Sequence, residues 1–195
     1  MQLVFATNNL NKLKEVQALI PPDIQLLSLK EIGCFEDIPE TQPSIEGNAI
    51  QKAEYIKKHY GYDCFADDTG LEVEALDGAP GVYSARYAGL QKNPEDNMKK
   101  LLTNLQAVDN RSARFKTVVS LHLNNELQIF TGICNGSITK EKHGKQGFGY
   151  DPIFKPEGYN ITFAEMDLST KNNIGHRGKA IAKLVSFLKS METKK

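Results

Sequence analysis

Excess charge of either sign is the first thing this chain lacks, since in 195 residues Lys plus Arg equals Asp plus Glu at 24 each. A chain so balanced offers no broad positive field to draw it onto DNA, RNA or anionic lipid. No nucleic-acid or membrane partner is expected, and any recognition of phosphate has to be local. Cysteine is scarce. Cys34, Cys64 and Cys134 are odd in number and far apart, with no Cys-x-x-Cys pair to hold zinc or exchange disulfides, which fits a reduced cytoplasmic protein. No apolar run approaches the roughly 18 residues of a membrane span. The opening Met1-Gln2-Leu3-Val4-Phe5-Ala6 has no basic flank and reads as a first strand, not a signal peptide. Repeats and low-complexity tracts are missing too, and the basic pair Lys194-Lys195 at the end reads as a solvated tail. The length suits one domain, with room for two lobes.

What is present is an alternation of short apolar runs and amphipathic stretches. Residues 3–6 predict a strand, Thr7-Asn8-Asn9-Leu10-Asn11 a polar loop, and 12–20 a helix, with Leu13, Val16, Leu19 and Ile20 at helical spacing. A second strand is expected at 25–29, then a long acidic, proline-containing loop over 33–43. Ile45, Ala49, Ala53 and Ile56 mark one face of a long helix that Ser44 caps and that ends near Tyr60-Gly61. Residues 63–66 predict a buried strand, interrupted by Asp67-Asp68-Thr69-Gly70 before alternation resumes at 71–73. Asn93-Pro94-Glu95-Asp96 is a helix start with a cap, a proline at the first helical position and acids in the first turn. Two long strands over 113–123 and 127–138 flank Asn124-Asn125, a tight hairpin, and Gly132 and Gly136 suggest bulges in the second. A loop at 143–149, a short strand at 152–154 and a helix over 179–191 close the chain. The pattern predicts an α/β fold with a mixed sheet.

Four constellations carry candidate chemistry. In the Thr7 to Lys12 loop, backbone amides at a helix start and a lysine make a phosphate cradle, although the glycines of a Walker A loop are missing and a plain turn fits the same residues. Asp67-Asp68 follow a buried strand. Neighbours on a strand face opposite ways, so the two acids should have different jobs, one ligating a hard cation or taking a proton from water, the other supporting it. A turn without chemistry remains the alternative. Glu40 and Glu46 could add carboxylates to the same ion, and Lys52 an ammonium beside phosphates. In Gly144-Lys145-Gln146-Gly147-Phe148-Gly149-Tyr150-Asp151-Pro152, glycines let the backbone approach a ligand while Phe148 and Tyr150 offer faces for a base. Finally Lys171 and Gly175-His176-Arg177-Gly178 precede the last helix and supply donors for phosphate or base oxygens.

In their order these segments resemble the inosine/xanthosine triphosphate pyrophosphatase family over nearly the whole chain. The resemblance rests on Ala6-Thr7-Asn8-Asn9 with Lys12, Glu40-Thr41, Asn48-Ala49 with Lys52-Ala53, Ala66-Asp67-Asp68-Thr69-Gly70-Leu71, Gly78-Ala79-Pro80-Gly81 through Tyr83-Ser84-Ala85-Arg86-Tyr87, Gly147 to Pro152, and Gly175-His176-Arg177-Gly178. It implies an elongated α/β protein with a long twisted mixed sheet, flanking helices forming two lobes around a nucleotide cleft, and a homodimer. It also implies magnesium-dependent cleavage of a purine nucleoside triphosphate to the monophosphate and pyrophosphate. By the same resemblance Asp68 is the general base and a magnesium ligand, Glu40 a second ligand, Asp67 a supporting carboxylate, and Lys12 and Lys52 neutralise the triphosphate. Thr7, Asn8, Asn9, Leu10, Asn11, Lys12, Thr69, Phe148, Gly149, Tyr150, Asp151, Lys171, His176 and Arg177 would hold the substrate. A 6-oxo purine presents an acceptor where adenine presents an amino donor, so a pocket of donors discriminates between them. Gln42-Pro43-Ser44-Ile45 departs from the family pattern after Glu40-Thr41, which leaves the path of that loop open. Two rivals are an aspartyl-nucleophile phosphatase, which needs Asp-x-Asp after the first strand, and a nucleotide sensor without turnover.

Overall fold

A computed structural model describes residues 1–192, so the Lys194-Lys195 tail lies outside the described residues. The expected alternation is there: β1 (Gln2–Phe5), α1 (Leu10–Gln17), β2 (Gln25–Leu27), α2 (Ile45–Tyr60), β3 (Cys64–Val73) and β4 (Pro80–Gly81). They are followed by α3 (Pro94–Asn104), β5 (Ser112–Leu123), β6 (Glu126–Ile138), β7 (Phe154–Pro156), α4 (Leu168–Ile174) and α5 (His176–Glu192). Seven strands form one mixed sheet in the order β2-β1-β3-β5-β6-β7, with β4 on β3. β1 runs parallel to β2 and β3, whereas β3–β4 and β6–β7 are antiparallel.

The local chemistry explains most boundaries. Ser44 Oγ accepts from Gly47 N at 3.0 Å to open α2, and Gly61 closes it with a φ of +75° that a side chain would resist. Asn93 accepts from the amides of Glu95 and Asp96, with Pro94 just inside α3. Asn124 and Asn125 take φ values of 50° and 66°, the left-handed pair that joins β5 to β6. Gly136 pairs in regular register with Pro156, and a Cβ there would meet the Lys155 carbonyl oxygen at 2.3 Å. Close approach of β7, not a bulge on that edge, is why it is glycine.

Several expectations change. α1 spans Leu10–Gln17 and not 12–20, because Asn9 caps it, so Leu10 and Asn11 open the helix and Leu19 and Ile20 lie past its end. β3 runs unbroken from Cys64 to Val73, so the acid pair lies within a strand and not at a break. Residues 151–153 form a 3-10 turn, and β7 starts only at Phe154. α4 is an extra helix. α5 begins at His176, three residues early, which puts His176 and Arg177 in its first turn and not in a preceding loop.

The chain forms two compact units, the first of Met1–Asp68, Thr117–Gly132 and Arg177–Lys195, the second of Thr69–Lys116 and Ile133–His176. In the first, β1 alternates between two cores. Leu3 and Phe5 pack with Val119, Leu121 and the α5 residues Ala180, Ile181 and Leu184, while Val4 and Ala6 pack with Ala53 and Ile56 of α2. The period of two is what lets one short strand serve both faces. The second unit has its own core, in which Phe115, Phe154 and Phe163 meet with ring centroids 4.7 to 6.1 Å apart. Each such fully buried side chain contributes about 1.5–3 kcal/mol. Among the described residues no helix is long and apolar enough to cross a membrane.

Candidate active site

In the first unit the acid pair divides as strand geometry requires. Asp67 is fully buried, with Lys12 Nζ 2.9 Å from Oδ1 and Arg177 Nε 3.1 Å from Oδ2. Arg177, 3% exposed, also pairs through NH1 with Glu15, three residues beyond Lys12 on α1. Asp68 looks the other way, toward α2. Its Oδ1 is 3.8 Å from Lys52 Nζ and its Oδ2 accepts from Asn48 Nδ2 at 3.3 Å. Lys52 Nζ also donates to Glu40 Oε1 at 2.5 Å and to the backbone carbonyl of Asp67 at 2.8 Å. One ammonium thus joins both acids and the acidic loop.

These settings push the two carboxyls apart. Burial alone would raise Asp67, but Lys12, Arg177 and Lys52 outweigh it and hold Asp67 far below the ordinary carboxylate range. Burial dominates at Asp68 and lifts it above its ordinary value, against the pull of Lys52 and Lys12. Burial also draws the Lys12 ammonium down despite Asp67, whereas at Lys52 the attraction of Asp68, Glu40 and Asp67 overcomes burial and holds it up. Asp67 is thus held as an anion, while the charged form of Asp68 is disfavoured by burial.

The loop before α1 is capped by its own asparagine. Asn9 Oδ1 accepts from Asn11 N at 3.0 Å and Lys12 N at 3.2 Å, and Thr7 Oγ1 from Asn9 N at 3.2 Å. Asn8, Asn9, Leu10 and Asn11 are exposed and Thr7 half-buried, as is Thr69 on β3. Glu46 stays exposed in the first turn of α2. The acidic loop follows a path set by α2. Thr41 N donates to Gln51 Oε1, Gln51 Nε2 to Thr41 Oγ1, both at 2.9 Å, and Gln42 N to Asn48 Oδ1 at 2.9 Å. Gln42-Pro43 therefore leaves Glu40 aimed at Lys52.

The second unit holds a cluster of its own. Lys171 Nζ lies 2.6 Å from Asp151 Oδ2, which also accepts Phe148 N at 2.8 Å, and sits 4.9 Å from the centroid of the Phe148 ring. Gly147 has a φ of +73°, and a Cβ there would meet Asp151 Oδ2 at 2.1 Å. The glycine exists so that the loop can wrap a carboxylate. Gly144 likewise lets the loop lie on the Ala164 carbonyl, which accepts from Lys145 N and Gln146 N. Phe148 and Gly149 are half-buried. Tyr150 does not offer a face for a base: it is 5% exposed, packed in the core, and its hydroxyl donates to the Ser84 carbonyl at 2.9 Å. His176 is buried, stacked on Phe115 at 4.4 Å and 18°.

Comparison with known proteins decides the lineage. A model of the Ham1 family matches residues 3–187. The chain belongs to the Ham1 family. A dITP/XTP pyrophosphatase from Flavobacterium psychrophilum is 62% identical to this Ham1 chain over 190 residues, covering 97% of it and all of the relative. One of the same name from Porphyromonas gingivalis is 52% identical, covering 96% and 97%. Among solved structures, the Staphylococcus aureus Ham1 protein superposes with a TM-score of 0.90 at 39% identity, covering 98% of this chain and 100% of that one. A nucleoside-triphosphatase, dITP/XTP pyrophosphatase, from Mycobacterium abscessus gives 0.77 at 38%, covering 95% and 99%. The resemblance drawn from the ordered motifs is thereby confirmed, and so is the mixed-sheet α/β fold.

Within the Ham1 chain, Lys12, Glu40, Lys52, Asp67, Asp68 and Arg177 come together in the first unit, and Phe148, Asp151, Lys171 and His176 in the second. Sequence reasoning placed Arg177 among the donors for substrate; its guanidinium pairs with Asp67 and Glu15, partners that reasoning did not foresee. It overlooked Glu15, and Asn48 as more than a motif letter. For Glu15 the available signal was an acid three residues after Lys12, on the same helix face.

Proposed function

We propose that this Ham1-family chain hydrolyses purine nucleoside triphosphates carrying an altered base (ITP, dITP, XTP) to the nucleoside monophosphate and pyrophosphate. The reading is supported by near full-length relatives named dITP/XTP pyrophosphatase. The observation that carries it is the convergence of Glu40, Asp68 and the Asp67 carbonyl on Lys52. In the reaction, water attacks the α phosphorus, the bond to the oxygen bridging α and β phosphates breaks, and pyrophosphate departs. Asp68 takes the proton of the water, a task suited to a carboxyl lifted above its ordinary value. Lys12 and Lys52 absorb charge building on the phosphates, and Asp67 holds Lys12 and Arg177 in place.

Glu40 and Asp68 would hold the magnesium ion. Two carboxylates fit that ion, which takes one or two from the protein and completes its shell with water and phosphate oxygens, and among the described residues no cluster of three or more His, Cys, Asp or Glu forms a closed cage. When bound, magnesium supplies neutralisation of the triphosphate charge. The Thr7 to Asn9 loop, Leu10 and Asn11 in the first turn of α1, and Thr69 are assigned to the phosphates. Phe148, Gly149, Tyr150 through its backbone, Asp151, Lys171 and His176 are assigned to the base and sugar, with Lys171 as a donor toward a 6-oxo group. The two units work as one catalytic domain, in a cytoplasmic homodimer. Incubation with dITP and magnesium should release pyrophosphate, which chelation abolishes and added magnesium restores. Orthophosphate as the first product would point to another phosphohydrolase, and no product to a sensor.

A further inference from the structure

The acidic loop does not merely pass α2; it is laced to it in antiparallel order. Glu36 receives the hydroxyls of Tyr55 and Tyr60, Glu40 meets Lys52, Thr41 meets Gln51, and Gln42 meets Asn48. Residues 48, 51, 52 and 55 are spaced by three and four, so they form one polar stripe on the helix. Asn48 ends this stripe and differs from the rest. Its carboxamide is 1% exposed and touches both the loop and the base. The orientation of that amide is unambiguous, because only its oxygen can accept Gln42 N and only its nitrogen can donate to the Asp68 carboxylate.

We propose that Asn48 is the positioning residue that couples the Glu40 loop to Asp68: one amide sets the register of the loop and the rotamer of the carboxylate together. This rests on the assignment of Asp68 as base. A backbone amide on one side and a carboxylate oxygen on the other leave the Asn48 side chain no second arrangement that satisfies both. Any shift of the loop pulls on Asp68, and any rotation of Asp68 frees the loop. Small misplacements at a reacting centre are costly, with about 1 Å enough for a 100-fold loss of rate. Simple binding of phosphate depends less on this link, since Lys12 is held by Asp67 and Lys52 keeps its bond to the Asp67 carbonyl without it.

Two variants separate the halves of the coupling. Asn48→Asp keeps an acceptor for Gln42 N but, when ionised, turns a second carboxylate and no donor toward Asp68; Asn48→Ala removes both contacts. In Asn48→Asp, the Gln42 amide should exchange as slowly as in the unaltered protein while kcat for pyrophosphate release from dITP falls on the order of 10- to 100-fold and KM stays within about threefold. In Asn48→Ala, the Gln42 amide should exchange at least about tenfold faster, read by NMR without substrate. An Asn48→Asp enzyme with kcat within about threefold of normal, or one whose KM rises while kcat holds, overturns the proposal. So does unchanged Gln42 exchange in Asn48→Ala. That exchange measurement stands even if Asn48→Asp does not fold. Asp68→Asn run beside them keeps the two ideas apart: normal turnover there removes Asp68 as base, while Gln42 exchange still decides whether Asn48 holds the loop.

Discussion

Replacing Asp67 with asparagine removes one negative charge from a site that no solvent reaches, and the structure says what is stranded. Lys12 and Arg177 each lose a carboxylate oxygen, at 2.9 and 3.1 Å; Arg177 keeps a direct ion pair with Glu15, whereas Lys12 keeps only the more distant attraction of Asp68. Breaking a buried pair from one side costs about 3–5 kcal/mol, a large part of the roughly 5–15 kcal/mol that holds a folded protein. For a chain of this size that corresponds to a fall in Tm of about 6–20 °C. The pH dependence has a definite sign. Asp67 has a depressed carboxyl in the folded state, so its contribution is complete above the unfolded carboxyl value and fades as pH drops through the folded one. Asp67→Asn should lack this acid-side loss. Burial already lowers the Lys12 ammonium, and losing Asp67 lowers it further. The folded variant then gives up a proton that its unfolded chain retains, so its stability deficit should narrow as pH rises toward the ordinary lysine range. Thermal and urea melts from pH 2 to 10, on Asp67→Asn beside Asp68→Asn, test this. Asp68, a carboxyl that burial disfavours in its charged form, should melt no lower when neutralised. A Tm for Asp67→Asn within 2 °C or so of normal, or a deficit that does not change with pH, would refute the buried-cage argument.

Lys52→Met should cut pyrophosphate release on the order of 100- to 1,000-fold. Because Lys52 is the strongest influence holding the Asp68 carboxyl down, the acidic limb of the kcat profile, along which rate rises with pH, should move to higher pH in any residual activity; a limb that stays put would separate Lys52 from the base. Lys171→Met leaves the buried Asp151 without its ammonium and uncovers one face of Phe148. KM for dITP should rise about tenfold or more, with a smaller change in kcat, as steady-state kinetics would report; an unchanged KM would take Lys171 out of base recognition.

The parts legible in the sequence were those where one local cause dominates. Ser44, Gly61, Asn93 and Pro94 announced α2 and α3 because caps act within a turn. The start of α5 was hidden because its first turn buries His176 and Arg177, and a search for apolar periodicity begins only at Ile181. α4 has Leu168 and Ile174 at its ends and polar residues between, so it has no stripe to read. β3 looked broken because Asp67, Asp68 and Gly70 are poor strand formers; the neighbouring ladder and the lysines on either side override that preference. The lysines and carboxylates of the site were legible as types in order, but not their partnerships. Nothing local to Arg177 reveals that Glu15, 162 residues away, will claim it.

The interleaving of the two units has a consequence for how the chain can come apart. Its path passes from one unit to the other after residues 68, 116, 132 and 176, and these points fall inside β3, β5, β6 and the first turn of α5. A protease seeking a connecting tether finds strand backbone at three borders and a helix start at the fourth, and no single cut yields either unit as an unbroken fragment.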